Sequence, residues 1–146
     1  MKTDLDNKKR LTNLFYSLKS RGERTFTKSQ FIEWYTSNEK YGCYYCGLEI
    51  ESQRKLVLRK ILTSKRFFGN KYITKKGKNS SGTRCHNFEV DRKNPNGSYS
   101  PENCVLACYF CNNDKSDVFD SEMYKKFIGG QLKLNPRYEY LTSLIK

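Results

Sequence analysis

The chain has 146 residues, enough for one compact domain, but hydrophobic residues make up only 36% of it, so its thin core needs an added staple: metal, disulfides or oligomerisation. Its 28 Lys+Arg against 15 Asp+Glu leave a formal net charge of +13. That excess calls for a polyanion, nucleic acid first and an anionic membrane surface second. No apolar run approaches the roughly 18–20 residues that a helix needs to span a bilayer.

The N-terminal run Met1-Lys2-Thr3-Asp4-Leu5-Asp6 lacks the apolar stretch of a signal peptide. The expectation is a cytoplasmic chain, a cell's own or phage- or virus-encoded. Thiols there are normally reduced, so the six Cys argue for metal more than for disulfides.

Taken in order, residues 6–20 read as an amphipathic helix, with Leu11, Leu14, Phe15 and Leu18 on one face and Arg21-Gly22 at its end. Thr27-Lys28-Ser29-Gln30 fits a capping box that opens a second helix, whose Phe31, Trp34 and Tyr35 share a core-facing side. Cys43 to Gly47 is a tight turn. A helix over about 51–65 follows, with Leu56, Ile61 and Leu62 as apolar positions. Phe67 to Thr74 alternates weakly and reads as a strand or half of a ribbon, and Gly77–Gly82 (GKNSSG) as a loop. Strands are expected over His86–Arg92 and Asn103–Ala107, with a turn at Asn94-Pro95-Asn96-Gly97. A helix should run from Tyr109 to about Lys115. Asp120 can cap a last helix carrying Met123, Tyr124, Phe127 and Ile128, stopped by Gly129-Gly130. Residues 131–146 show too weak a pattern for an assignment.

Two C-x-x-C pairs, Cys43/Cys46 and Cys108/Cys111, stand 61 residues apart. Each pair can aim two thiolates at one ion from a single turn. Together they form a closed four-thiolate shell, the ligand set of structural Zn²⁺. A redox C-x-x-C needs one pair only. The long separation means the ion clamps distant segments, and its binding becomes folding free energy. Cys104 falls in an expected buried strand and acts as a small hydrophobe, while Cys85 is either a strand residue or a replacement ligand.

The stretch from Phe88 to Lys115 holds Val90-Asp91-Arg92, a loop with Gly97, Asn103 before the second strand, and Cys108-Tyr109-Phe110-Cys111-Asn112-Asn113-Asp114-Lys115. It resembles the HNH, or ββα-metal, nuclease motif: a strand ending in Asp-His, a Gly-containing loop, an Asn, a strand, then C-x-x-C-N-x-x-K. The likeness covers about 40–117. It implies an α+β fold, a small ββα-metal nuclease core stapled by a four-cysteine zinc site. It implies Asp91 and Asn112 as ligands of a catalytic divalent cation, Mg²⁺ with Mn²⁺ as substitute, that acts on a DNA phosphodiester.

The departure from that pattern is Arg92, where most of the family carries a general-base His. Arg cannot accept a proton near pH 7, and its fork of donors suits the scissile phosphate. The lone His86 lies about 16 Å from Asp91 on an extended strand at about 3.3 Å per residue, and on the opposite face. Further likeness, in Phe26-Thr27-Lys28, Trp34-Tyr35, Cys-x-Tyr-Cys-Gly and Gly-x-Tyr-Ser-Pro, is to a branch of rare-cutting restriction enzymes and phage-type HNH proteins. There a Tyr replaces the His, and the matching residue is Tyr45. Tyr45 either initiates cleavage or packs beside the zinc, with a water on the cation as the alternative nucleophile. An additional N-terminal pair of C-x-x-C motifs of that branch is absent, so target sequence and dimer geometry do not carry over. Glu89 is expected in a salt bridge near the metal rather than on it.

From Arg54 to Arg84 there are eleven Lys/Arg and no Asp or Glu. Phe67, Phe68 and Tyr72 are interleaved with Lys65, Arg66 and Lys71, and Lys75, Lys76 and Lys78 follow, a composition suited to tracking a DNA backbone with a ribbon or loop in a groove. Arg84 is added as a phosphate contact, and Lys115 as a phosphate contact or a cap of its helix C-terminus. The expected organisation is an N-terminal helical region (1–40), a nuclease core (41–128) with a basic insertion (54–84), and a tail (129–146). The expected partner is double-stranded DNA, bound by one copy or by a homodimer, with no membrane.

Overall fold

The capping signals in the sequence each open a helix. The computed structural model describes residues 4–128 and 136–146. Helix α1 spans Asp4–Leu18 and continues into a 3-10 turn at Lys19–Arg21. Helix α2 (Lys28–Asn38) begins with the expected capping box: Gln30 N donates to Thr27 Oγ1, and Thr27 N donates to Gln30 Oε1. Such a cap contributes about 1 kcal/mol. Helix α3 (Ile50–Leu58) is shorter than the 51–65 expected. Lys60 adopts a left-handed φ of 56° and its N–H turns back to Val57 O, so the helix closes without a glycine.

Strands β1 (Lys71–Ile73) and β2 (Asn79–Ser81) form an antiparallel hairpin. Half of the GKNSSG segment, expected as loop, is therefore strand. Polar residues with no strand pattern are held there by pairing with β1. The five-residue connection, 74–78, narrows to a three-residue tip, 75–77, because Thr74 N donates to Lys78 O at 2.9 Å, and Gly77 closes it with φ 70° and its N–H to Thr74 O at 2.9 Å. Strand β3 (Glu89–Arg92) starts later than His86 because Cys85, at φ 68°, bends the chain first. It pairs antiparallel with β4 (Cys104–Ala107), Asp91 opposite Val105 and Arg92 opposite Cys104.

Helix α4 (Tyr109–Lys115) follows β4 directly, and α5 (Ser121–Phe127) is capped by Asp120 accepting from Met123 N. The expected Gly129-Gly130 stop lies outside the described residues. Helix α6 (Pro136–Ser143) occupies the segment for which the sequence showed no pattern.

One buried cluster joins Leu11, Phe15 and Leu18 of α1, Phe31 and Tyr35 of α2, Val90 and Leu106 of the β3/β4 ribbon, Tyr124 of α5 and Leu141 of α6. The four paired cysteines sit inside it. The basic insertion has a small cluster of its own, Val57, Phe67 and Cys85. Gln53, fully buried, ties the insertion to the core: its Nε2 donates to Cys85 O and its Oε1 accepts from Tyr109 N. No helix among the described residues is long and apolar enough to cross a membrane.

Candidate active site

The Cys43–Gly47 turn and the start of α4 meet back to back. Tyr44 N donates to Leu106 O, which seats the turn against the end of β4. Cys108 is the N-cap of α4, and its Sγ accepts from Cys111 N. The ligand atoms of Cys43, Cys46, Cys108 and Cys111 all lie within 4.8 Å of one another, fully buried, and the Sγ atoms of Cys46 and Cys108 are 3.8 Å apart. Tetrahedral bonds of about 2.3 Å to zinc place sulfurs about 3.8 Å apart, so the cluster has the size of a Zn²⁺ site. Cys85 and Cys104 are buried elsewhere, and neither replaces a ligand.

The loop between β3 and β4 is locked by one side chain. Asn103 Oδ1 accepts from Asn94 N, while Nδ2 donates to Asn94 O and Ser98 O. A Cβ at Gly97 would come within 2.7 Å of Asn103 Nδ2, which is why glycine stands there. The lock fixes the end of β3 and with it Asp91 and Arg92.

Asp91 is buried between two partners. Tyr45 donates its hydroxyl to Asp91 Oδ2 at 2.5 Å, and Lys115 Nζ lies 3.2 Å from the same oxygen. Burial pushes the Asp91 carboxyl up, opposed by the Tyr45 hydrogen bond and the Lys115 charge. Tyr45 is itself 0% exposed, and burial together with the Asp91 charge holds its pKa far above the ordinary phenol value. In this arrangement the Tyr45 hydroxyl points at Asp91 and not at solvent.

A second chain of contacts runs beside the first. Asn112, on the first turn of α4, donates Nδ2 to Glu89 Oε2, leaving its amide oxygen as the end available to a cation. Glu89 also holds Arg84 through both carboxylate oxygens, and this hydrogen-bonded pairing raises the Arg84 pKa. Arg84 stacks over Tyr109, 4.8 Å from the ring centroid. Glu89 is thus in a salt bridge, as its sequence position suggested.

Arg92 stacks 4.7 Å from the Tyr99 ring centroid, and its Nη1 donates to Gly97 O. The segment after α1 lies against this pair. Thr25 N donates to Tyr99 O and Tyr99 N to Glu23 O, and a Cβ at Gly22 would approach Arg92 Nη1 to 3.1 Å. Asp91, Arg92 and Asn112 line one cavity of about 270 Å³, shared with Arg21, Asn113, Ser116 and Asp117. A carboxylate, an amide and two arginines lining one cavity suit a divalent cation and a phosphodiester. The cation ligand set fits in donor chemistry, oxygen from Asp91 and from Asn112.

The structure keeps Lys65, Arg66, Lys71, Lys75, Lys76 and Lys78 exposed on or beside the β1/β2 hairpin. Lys115, expected at a DNA phosphate or at its helix C-terminus, is not at the surface: it is 0% exposed, with Nζ donating to Arg92 O at 2.9 Å as well as pairing with Asp91. It sits one helical turn after Asn112, on the side of α4 that packs against β3. Arg21 on the cavity wall was not anticipated, and neither was Gln53. For Arg21 the available signal was a positive residue ending a helix that precedes a Gly. For Gln53 the sequence carries no signal, because only its three-dimensional partners distinguish it. His86 packs its ring on Phe68, centroids 5.0 Å apart, at the far end of the β3 segment.

A hairpin of two short strands followed by a helix, with a carboxylate on the first strand, an amide on the helix and a cysteine cluster behind, is the ββα-metal arrangement of HNH nucleases. No protein-family model and no curated protein sequence matches the chain. Among solved structures, the chain is similar to the rare-cutting HNH restriction endonuclease PacI, with a TM-score of 0.55 and 25% identity over 90% of this chain and 73% of that one. PacI exhibits a mechanism of DNA perturbation.

Proposed function

We propose that the protein is a metal-dependent endonuclease that hydrolyses phosphodiester bonds in duplex DNA at preferred sequences. The observation that carries the reading is that Asp91, Arg92 and Asn112 line the same cavity. Asp91 and Asn112 would hold a divalent cation, Mg²⁺ or Mn²⁺, which when bound neutralises charge on the scissile phosphate and on the departing oxygen. Arg92, braced by Tyr99 and Gly97 O, directs its remaining donors at a phosphate oxygen. Lys115 and Tyr45 hold Asp91 in one orientation, and Glu89 with Arg84 holds the Asn112 amide. Supercoiled plasmid incubated with Mg²⁺ should be nicked or linearised. A single site cuts one strand, and a double-strand cut requires a second copy or a second visit.

The buried position of Tyr45 supports a role in orienting Asp91. Tyr45→Phe keeps the ring and loses one hydrogen bond to a charged group, so single-turnover cleavage should fall only about tenfold with zinc content unchanged. A drop of about 10³ or more would instead make Tyr45 the group that initiates cleavage.

A zinc-stapled DNA-binding module without catalysis is the second reading, favoured by the Arg at position 92 and the burial of Tyr45. Binding with no cleavage across Mg²⁺, Mn²⁺ and Ca²⁺ would establish it. Under either reading DNA affinity should fall steeply with salt. About six neutralised phosphates give a log–log slope near about −5, measured by fluorescence anisotropy. A slope near zero would rule out the basic insertion as a backbone-tracking surface.

A further inference from the structure

The β1/β2 hairpin presents two different faces. In both strands the middle residue is half-buried and the outer two are exposed. The register places Lys71 opposite Ser81 and Ile73 opposite Asn79, with Tyr72 opposite Ser80 on the inward side. The outward face is therefore a patch of four side chains, Lys71, Ile73, Asn79 and Ser81. Ile73 is 72% exposed. A single exposed isoleucine means little by itself. Here it stands directly across the ladder from an asparagine, with Lys71 and Ser81 on the next pair.

We infer that this face reads base edges in the major groove, and that Ile73 and Asn79 set much of the sequence preference of the enzyme at A·T base pairs; the inference rests on the nuclease reading above. A two-stranded ribbon is one of the two elements that a major groove about 12 Å wide admits. Its three-residue strands, at about 3.4 Å per residue, extend about 10 Å from the root, comparable to the groove depth of about 8.5 Å. The chemistry of the face matches what the groove displays. An asparagine amide pairs bidentately with adenine N6 and N7. An aliphatic side chain packs on the thymine methyl. Lysine takes the acceptors of guanine, and serine takes either donor or acceptor.

The surroundings supply the positioning contacts. Lys75, Lys76 and Lys78 are exposed around the tip, Lys65 and Arg66 before the root, and the 54–84 insertion that contains the hairpin holds no acid. This charge favours a polyanion as the occupant and opposes pairing with the same hairpin of a second copy, because two such hairpins repel each other.

The hairpin is also mechanically referenced to the active site. Gly82 N donates to Asn70 O, Phe68 N to Arg84 O and Arg84 N to Arg66 O, which tie the root. A Cβ at Gly82 would lie 2.1 Å from Phe67 O, so the two root segments touch backbone to backbone. Arg84 then hydrogen-bonds Glu89 on β3, and Glu89 holds Asn112. A base pair recognised by the ribbon is thereby placed at a fixed distance from the phosphate presented to Asp91.

The test is selection from a randomised duplex pool, for cleavage with Mg²⁺ and for binding with Ca²⁺, using the full chain and its Ile73→Ala, Asn79→Ala and Lys75→Ala/Lys76→Ala variants. Zinc content and melting temperature confirm that each is folded. Asn79→Ala and Ile73→Ala should relax the preference at one or two adjacent positions and weaken the preferred sequence about 10- to 100-fold, with the salt slope unchanged. The double lysine variant should weaken all sequences alike and reduce the slope by about 2. A wild-type chain that selects a defined sequence, with the same preference kept by both single variants, overturns the inference and leaves the nuclease reading standing. A wild type that selects no sequence also overturns it. A wild type that prefers duplex RNA, or neither binds nor cuts DNA, overturns both.

Discussion

Asp91→Asn should reduce plasmid cleavage by at least about 10²–10³-fold while DNA binding in Ca²⁺ holds or strengthens. The substitution keeps the shape of the side chain and removes its charge, so the proposed cation loses its anionic ligand at the point where charge develops. Binding does not suffer, since the lost charge would face a phosphate. The same change has a stability cost. Lys115 is fully buried, and its partners are Asp91 and the carbonyl oxygens of Arg92 and Ser116. Breaking one side of a buried pair costs about 3–5 kcal/mol, less here because two carbonyls and the asparagine oxygen remain. Asn112→Ala removes the second proposed ligand without touching Lys115. Both variants should lose cleavage, and only Asp91→Asn should lower the melting temperature markedly. Cutting by Asp91→Asn at the wild-type rate would remove Asp91 from the mechanism.

Removing the metal from the cysteine cluster should abolish both folding cooperativity and cleavage. The four cysteines lie inside the main core, so without an ion the core would contain four buried thiols in mutual contact in place of bonds. Structural zinc contributes about 10–16 kcal/mol in zinc-finger peptides, as large as the whole stability of an ordinary domain. The cluster also joins the Tyr45 turn to α4, which carries Asn112 and Lys115. Elemental analysis should find one zinc per chain. Cys46→Ser or Cys108→Ser should lose it together with the thermal transition, whereas Cys104→Ala should retain the ion. Full zinc content and activity in Cys108→Ser would refute the cluster as the staple.

Much of the local framework is legible without coordinates, because short-range physics decides it. Thr27 and Asp120 announce helix starts through hydrogen bonds within one turn. The C-x-x-C spacing reflects what a tight turn can place around one ion. The ββα order follows from a turn signal at Asn94–Gly97 and the apolar run of β4. Elsewhere long-range contacts override the local pattern. Residues 79–81 have no strand pattern and are a strand because β1 pairs with them. The α3 helix stops early at Lys60, whose left-handed φ no glycine advertises.

The amino-acid sequence by itself singled out the four cysteines that could hold a metal ion, Asp91, Arg92 and Asn112 as candidates, and the positive charge that calls for a polyanion. Side-chain type and near-neighbour spacing suffice for those. Only the tertiary structure decided what each group faces. It turned Lys115 inward to Asp91, placed Tyr45 under the carboxylate, brought Arg21 to the cavity wall, and sorted the hairpin into an inner face and an outer one. Burial and partner distance depend on segments tens of residues apart, and no local pattern encodes them. The four cysteines are the link between the two levels, a local motif fit to hold one metal ion where distant segments of the chain meet.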